Sequence, residues 1–265
     1  MPELRPDTRT RVALDELAGV SLAGGPGTAA VTRLSDGSSS EWDASAPLAA
    51  ASCPDLLTVE WEVSGARVSS EVDVVASRAV SLDEIRTYRP TEYALGDSTD
   101  EQLWAARARA EEVIERESRR HFQPVMRPAF VDRPNCTTRA VPMVDCSLAH
   151  DLVRVSRAVS EGGRAVPVRV SSPTTLDVSS LPHHGWAECA VVLGMRETPS
   201  EYAAAVLALA AWYLAPKSGP ENATSTSTDA GVLRFVVGGV GGAPTSLPEV
   251  NALISRYGFR DLLVG

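Results

Sequence analysis

The stretch GWAECAVVLGMRETPSEYAAAVLALAAWYLAP, residues 185–216, changes its period part-way through, and that change organises the chain. In its first half Ala187, Cys189, Val191 and Leu193 recur at every second position, as they must on a strand that turns one face inward. Thr198-Pro199-Ser200-Glu201 then has the form of a capping box, a hydroxyl followed three residues later by Glu, with Pro at the favoured first helical position. The residues behind it are apolar on nearly every side, so the helix predicted over about 199–215 is covered on most of its surface, in the core or against other subunits. Its alanines let neighbouring helices approach closely, and Pro216 stops it.

Toward the N-terminus, the β character extends over about residues 122–197. Short Val-rich runs are separated by the turn signals Glu161-Gly162-Gly163-Arg164, Ser171-Ser172-Pro173 and Leu181-Pro182-His183-His184-Gly185. These predict strands over about 128–133, 138–144, 151–159, 165–171 and 186–194. Before them, Ser98-Thr99-Asp100-Glu101 is a second capping box and opens a long helix over about 99–120. Leu103, Ala106, Ala110, Val113 and Ile114 form its apolar stripe; Glu and Arg fill the rest, which predicts a solvated face paired at i,i+4. Ser81-Leu82-Asp83-Glu84 is a further box, opening a short helix over about 81–89 that must end before Pro90.

Ahead of these helices, Leu57-Thr58-Val59-Glu60-Trp61-Glu62-Val63 alternates without a break. Ser64-Gly65 fits a tight turn, and Ala66, Val68, Val72 and Val74 carry the period of two onward. A small β domain is therefore expected over about residues 10–79, closing on a hairpin.

Beyond the apolar helix, KSGPENATSTSTDAG reads as a polar loop of the kind that stays mobile until packed. The strand-like run 232–237 leads into GGVGGAP. Gly239 and Gly241 supply two glycines of a dinucleotide fingerprint, but Pro244 stands where the third belongs and no phosphate-binding P-loop occurs. The glycines Gly238, Gly239, Gly241 and Gly242, with Gly258 further on, read instead as hinges. Between them Ser246-Leu247-Pro248-Glu249 opens a helix over about 247–257, with Leu247, Val250, Leu253, Ile254 and Tyr257 toward one face. Phe259, Leu262, Leu263 and Val264 follow it, and an apolar terminus of this kind frays unless it is tied to something. The tail either folds back on its own core or docks on another subunit; the glycines that bracket the helix as joints favour the second, so the segment 238–265 is expected to be a jointed arm, removable from residue 245 onward without loss of the fold.

A net charge of −9 argues against a surface built to grip nucleic acid. The opening MPELRPDTRTRVALDEL lacks the apolar core of a signal peptide, and the run Ala203–Ala215 is shorter than the ~20 residues a membrane span requires, so a cytosolic, membrane-free protein is expected. Cys53, Cys136, Cys146 and Cys189 are scattered without a C-x-x-C pair and read as unpaired thiols. His183 and His184 sit in a turn with no adjacent carboxylate and are a poor metal pair. No G-x-S-x-G elbow is present, so no catalytic, metal or cofactor site is expected. Trp61, Trp104, Trp186 and Trp212 read as core packing.

Four stretches carry a family resemblance: VSLDEIRTY (80–88), AARARAEEVIERESRRHF (105–122), the β insertion closing in the segment quoted first, and SLPEVNALISRYGFRDLLVG (246–265). In that order they resemble the head–tail connector (adaptor) proteins of long-tailed bacteriophages, over about residues 80–265. The resemblance implies an α+β chain, a small helical bundle interrupted by a β-rich insertion and ending in the arm. It also implies a ring of twelve copies at the head–tail junction of a virion assembled in the host cytoplasm, without catalysis or cofactor. The arm, Leu247 to Tyr257 with Phe259, Leu262, Leu263 and Val264, would dock on the portal protein. The body would receive the next tail-side connector, and DNA would pass through without specific binding. Residues 1–79 lie outside the resemblance and stand as an elaboration. Two other readings stay open: a small hydrolase in which His121, His150 or His184 meets a serine and a carboxylate, and a β-rich surface-binding module built on residues 10–79.

Overall fold

The computed structural model describes residues 2–25, 27–50, 53–88, 95, 97–135, 137–142, 151–215, 225–228, 231–234 and 244–258. The fold is α+β, and the chain divides into two compact units, Met1–Arg78 with His121–Glu197, and Ala79–Arg120 with Thr198–Gly265. The strands of the first unit are β1 (Glu3–Leu4), β2 (Arg9–Ala13), β3 (Ser21–Leu22), β4 (Thr28–Arg33), β5 (Ser39–Asp43), β6 (Asp55–Val63) and β7 (Ala66–Val75), with a 3-10 helix over Leu14–Gly19. After the helical excursion come β8 (Val125–Asp132), β9 (Ala140–Pro142), β10 (Leu152–Ser160), β11 (Arg169–Ser172), β12 (Thr175–Asp177) and β13 (Trp186–Leu193).

The N-terminal sheet runs β2-β7-β6-β4-β5, antiparallel except where β2 lies parallel to β7. Ser64 and Gly65 turn the β6–β7 hairpin with φ of 52° and 81°, the positive values a two-residue turn needs to match strand twist. Leu57, Val59 and Trp61 share an inward face with Val72 and Val74, in one core with Val12, Val31 and Trp42. The opposite face is also buried: Leu56 packs with Met126 of β8 and with Ala190 and Val192 of β13. Two-sided burial is why compactness groups 121–197 with 1–78, whereas the sequence pattern set the β insertion with the helices.

The three-stranded sheet β10-β13-β8 and the sheet β11-β12-β9 complete the unit. On β13, Ala187, Cys189, Val191 and Leu193 are buried in a shared core, as their alternation predicts. Beyond the strand expected over 165–171, β12 pairs with β11 as a hairpin, its polar sequence RVSS–PT–TLD hiding a pairing in which only Leu176 is fully buried. Trp186, at the start of β13, is half-buried and stacks against exposed Phe130 at 5.2 Å between ring centroids, so it is not a core residue. A buried ion pair joins β7 to β8: both oxygens of Asp73 accept from the guanidinium of Arg127, the second at 2.9 Å.

The second unit holds α1 (Leu82–Thr87), α2 (Asp100–Ser118), α3 (Ser200–Leu214), the hairpin β14 (Ser225–Thr228) and β15 (Gly231–Arg234), and α4 (Pro248–Tyr257). Part of the expected polar loop is therefore a strand. The Ser81–Glu84 capping box forms as read, with the Glu84 amide donating to Ser81 Oγ at 3.2 Å and the Ser81 amide donating to the Glu84 carboxylate at 2.7 Å. At α2 the box shifts by one residue, to Thr99 and Gln102. Pro199 and Leu247 occupy the cap positions of α3 and α4, and neither has a side-chain acceptor. The entry to α4 is held by Thr245 and Asn251 instead. Asn251 Oδ1 accepts from the Thr245 amide at 2.9 Å and its Nδ2 donates to the Thr245 carbonyl at 2.8 Å.

The solvated face expected for α2 forms through Arg109, Glu112, Arg116 and Glu117 but is narrower than the charge run implies. Alongside Leu103, Ala106, Ala110 and Ile114, the helix buries Arg107, Glu111 and Glu115 at i, i+4 and i+8. Arg107 donates to the Val80 carbonyl at 3.0 Å, and the Tyr202 hydroxyl of α3 approaches Glu115 at 3.5 Å.

Candidate docking surface

Within the helical unit, α4 supplies Val250, Leu253 and Ile254 to the interior, with 0%, 5% and 7% exposure. These three of the expected portal-facing residues are thus used against α2 and α3, the helices α4 contacts. Leu247 and Tyr257 are half-buried. Removal of the chain from residue 245 onward would take out part of this core, contrary to the expectation that the arm is separable there. Phe259, Leu262, Leu263, Val264, Gly238, Gly239, Gly241 and Gly242 lie outside the described residues.

The C-terminal end of α4 is pinned by polar contacts. Glu201, in the first turn of α3, accepts from Arg256 at 2.5 Å and from the Tyr257 hydroxyl at 2.7 Å. That hydrogen bond to a carboxylate raises the Tyr257 pKa above the ordinary phenol value, with burial and the Glu201 charge adding to it. Arg120 donates to the Tyr257 carbonyl at 3.1 Å. Gly258 has an ordinary φ of −59°. Its need for glycine is spatial, since a Cβ there would lie 2.4 Å from the Ile254 carbonyl oxygen.

Between α3 and α4 runs a groove of about 400 Å³. Ala204, Ala205, Ala208, Ala252 and Leu253 line it together with Glu201, Glu249 and Arg256. The alanines that predicted close helix approach instead leave a channel, because Ala204 is exposed and Ala208 only half-buried. Tyr88 also lines it, its pKa raised by burial and then by the charge of Glu249. A second hollow of about 390 Å³ lies between α2 and the end of α3, lined by Gln102, Ala105, Arg109 and Tyr213. There the Arg109 guanidinium sits over the Tyr213 ring, 4.3 Å from its centroid. Nothing in the sequence marked either surface, since a groove depends on what two separate helices leave uncovered.

The candidate chemical residues are dispersed. His183 and His184 occupy an exposed turn in which His184 has φ 57° and its amide donates to the Arg133 carbonyl. His121 is buried, its carbonyl accepting from the Met195 amide, and His150 lies outside the described residues. Among the described residues no group of three His, Cys, Asp or Glu side chains is placed to hold a metal ion. Burial pushes the Cys189 thiol up to about 11, which leaves little thiolate at neutral pH. Cys53 is half-buried and also raised, while Cys136 and Cys146 lie outside the described residues. Among the described residues no helix is long and apolar enough to cross a membrane.

No family model matches the chain, and no curated protein matches it. Among solved structures, it is similar to a chain in the virion of a native gene transfer agent particle, with a TM-score of 0.42 and 18% identity over 71% of this chain and 93% of that one. It is also similar to a chain in the neck of an empty particle of that kind, with a TM-score of 0.41 and 17% identity over the same shares. Likeness at this level fixes neither fold nor function.

Proposed function

We propose that this chain is a virion structural protein, a head–tail connector (adaptor) subunit that joins the portal to the tail as a ring of copies, twelve by family resemblance. The observation that carries the reading is the split make-up of the helical unit. Its α1 and α2 precede a β-rich segment and its α3 and α4 follow it, the order that the adaptor resemblance implies. In this role the chain is not an enzyme and needs no cofactor. The net charge of −9 suits a wall past which DNA moves without sticking.

The arm divides into two parts in this proposal. Helix α4 is the anchor, seated through Val250, Leu253 and Ile254. The residues after it, Phe259, Leu262, Leu263 and Val264, make the portal contact. The next tail-side connector binds the body of the ring.

Truncation after Gly258 tests this. The shortened chain should fold, because it keeps α4, yet fail to assemble onto portal-bearing heads. Particles that join tails normally with the truncated chain would overturn the proposal.

A further inference from the structure

The two sides of α3 carry different chemistry. Ala204 and Ala208, one helical turn apart, line the groove toward α4 together with Glu201 and Glu249. Arg256 lines it too, but it is paired with Glu201, so the exposed Glu249 gives the groove an acidic edge. Tyr213 is five residues beyond Ala208 and nine beyond Ala204, and at about 100° per residue it points away from the groove, about 140° and 180° from those two alanines. There it lies under Arg109 in the second hollow, its pKa raised by burial against the lowering pull of Arg109 and Arg116. One side is acidic and lined by small residues. The other presents a cation stacked on an aromatic ring.

Complementary faces on opposite sides of one helix cannot satisfy each other within a two-fold pair that uses the same patch twice. They join copies head to tail, and such contacts close into a ring when the rotation between copies divides a full turn. We infer that the α3–α4 groove receives the Arg109–Tyr213 face of a second copy of this chain, with Glu249 opposite Arg109. The inference rests on the ring reading and assigns the surfaces that build the ring. Charge pairs of this kind set register and exclude wrong partners, while the small side chains of the alanines lining the groove leave room for the tyrosine ring.

Two measurements on the full chain in particles test it. Ala208→Cys and Ala105→Cys in one chain, treated with a short bismaleimide, should give a ladder of cross-linked multimers. Each single variant should stay at the background set by the four native cysteines. Glu249→Arg and Arg109→Glu should each lower ring formation by about tenfold, as opposed like charges do, and the double reversal should restore it. Cross-linked dimers from Ala208→Cys alone would show the groove facing itself and overturn the inference. So would rings indifferent to both single reversals, and in either case the ring would stand. Particles without any ring of this chain by electron microscopy would overturn the ring reading itself.

Discussion

The two compact units bury charge in different ways. In the β-rich unit, buried charge sits on strands whose other face is apolar, and it bridges elements far apart in sequence. Asp73 of β7 takes both hydrogen bonds from Arg127 of β8, and Asp55 accepts from the Ser35 amide at 3.0 Å and from the Ser35 hydroxyl at 2.7 Å. In the helical unit the buried charges Arg107, Glu111 and Glu115 lie on a single stripe of α2, among the apolar residues that pack the bundle. A sheet offers a second face on which polar groups can meet a partner layer. A packed helix offers one wide face, so its buried polar groups sit among the apolar contacts and reach partners there, the Val80 carbonyl for Arg107 and the Tyr202 hydroxyl for Glu115.

The largest effects should come from breaking these buried charges. Asp73→Ala leaves Arg127 charged and enclosed, and should cost about 3–5 kcal/mol in urea unfolding, whereas replacing both residues with apolar ones of similar size should recover most of that. Arg107→Ala should cost a similar ~3–5 kcal/mol, because it removes a cation from a stripe holding two carboxylates. Hydrogen exchange sharpens the contrast: the second variant should strip protection from α2 and α3 while β6 and β7 keep theirs. Equal loss in both units would erase the distinction.

Gly194→Ala comes next. Gly194 has φ 120°, and a Cβ would stand 2.4 Å from the Gln123 carbonyl oxygen, so both conformation and space oppose it. We expect about 2–3 kcal/mol, read as a lowered midpoint of thermal unfolding. Ser81→Ala removes one half of the α1 capping box and should cost about 1 kcal/mol, with the loss seen as fraying of α1.

The smallest effect is at Tyr257. Its folded-state pKa is raised, so its bond to Glu201 contributes fully below about pH 10 and is lost as the pH climbs through the folded value. Exchange at the end of α4 should accelerate only in that alkaline range. A Tyr257→Phe chain whose α4 shows the same alkaline step would assign it to another group.

Much of the architecture was legible because period is a local property. The β6–β7 hairpin, the strand Trp186–Leu193 and all four helices fall close to where alternation and capping residues set them. Misses have physical causes. The stripe on α2 was correctly spaced but too narrowly drawn, since Arg107, Glu111 and Glu115 continue the same i,i+3/i+4 face and only their charge argued for solvent. Capping signatures shifted where a neighbour could serve equally: Thr99 replaced Ser98, and the Thr245–Asn251 pair took over at α4.

The sequence by itself determined the four helices, the β6–β7 hairpin and the strand Trp186–Leu193, because side-chain periodicity and end-capping act over a few residues, whereas the polar strands β12 and β14 form only with their partners. It also determined that the helices are interrupted by a β-rich stretch. Only the tertiary structure decided that residues 121–197 share a unit with the N-terminal sheet, and that α4 seats Val250, Leu253 and Ile254 in its own bundle. Only it left a groove between α3 and α4. Those outcomes depend on which faces of distant elements meet, and the second face of a sheet or the gap between two alanine-lined helices exists only once both partners are in place.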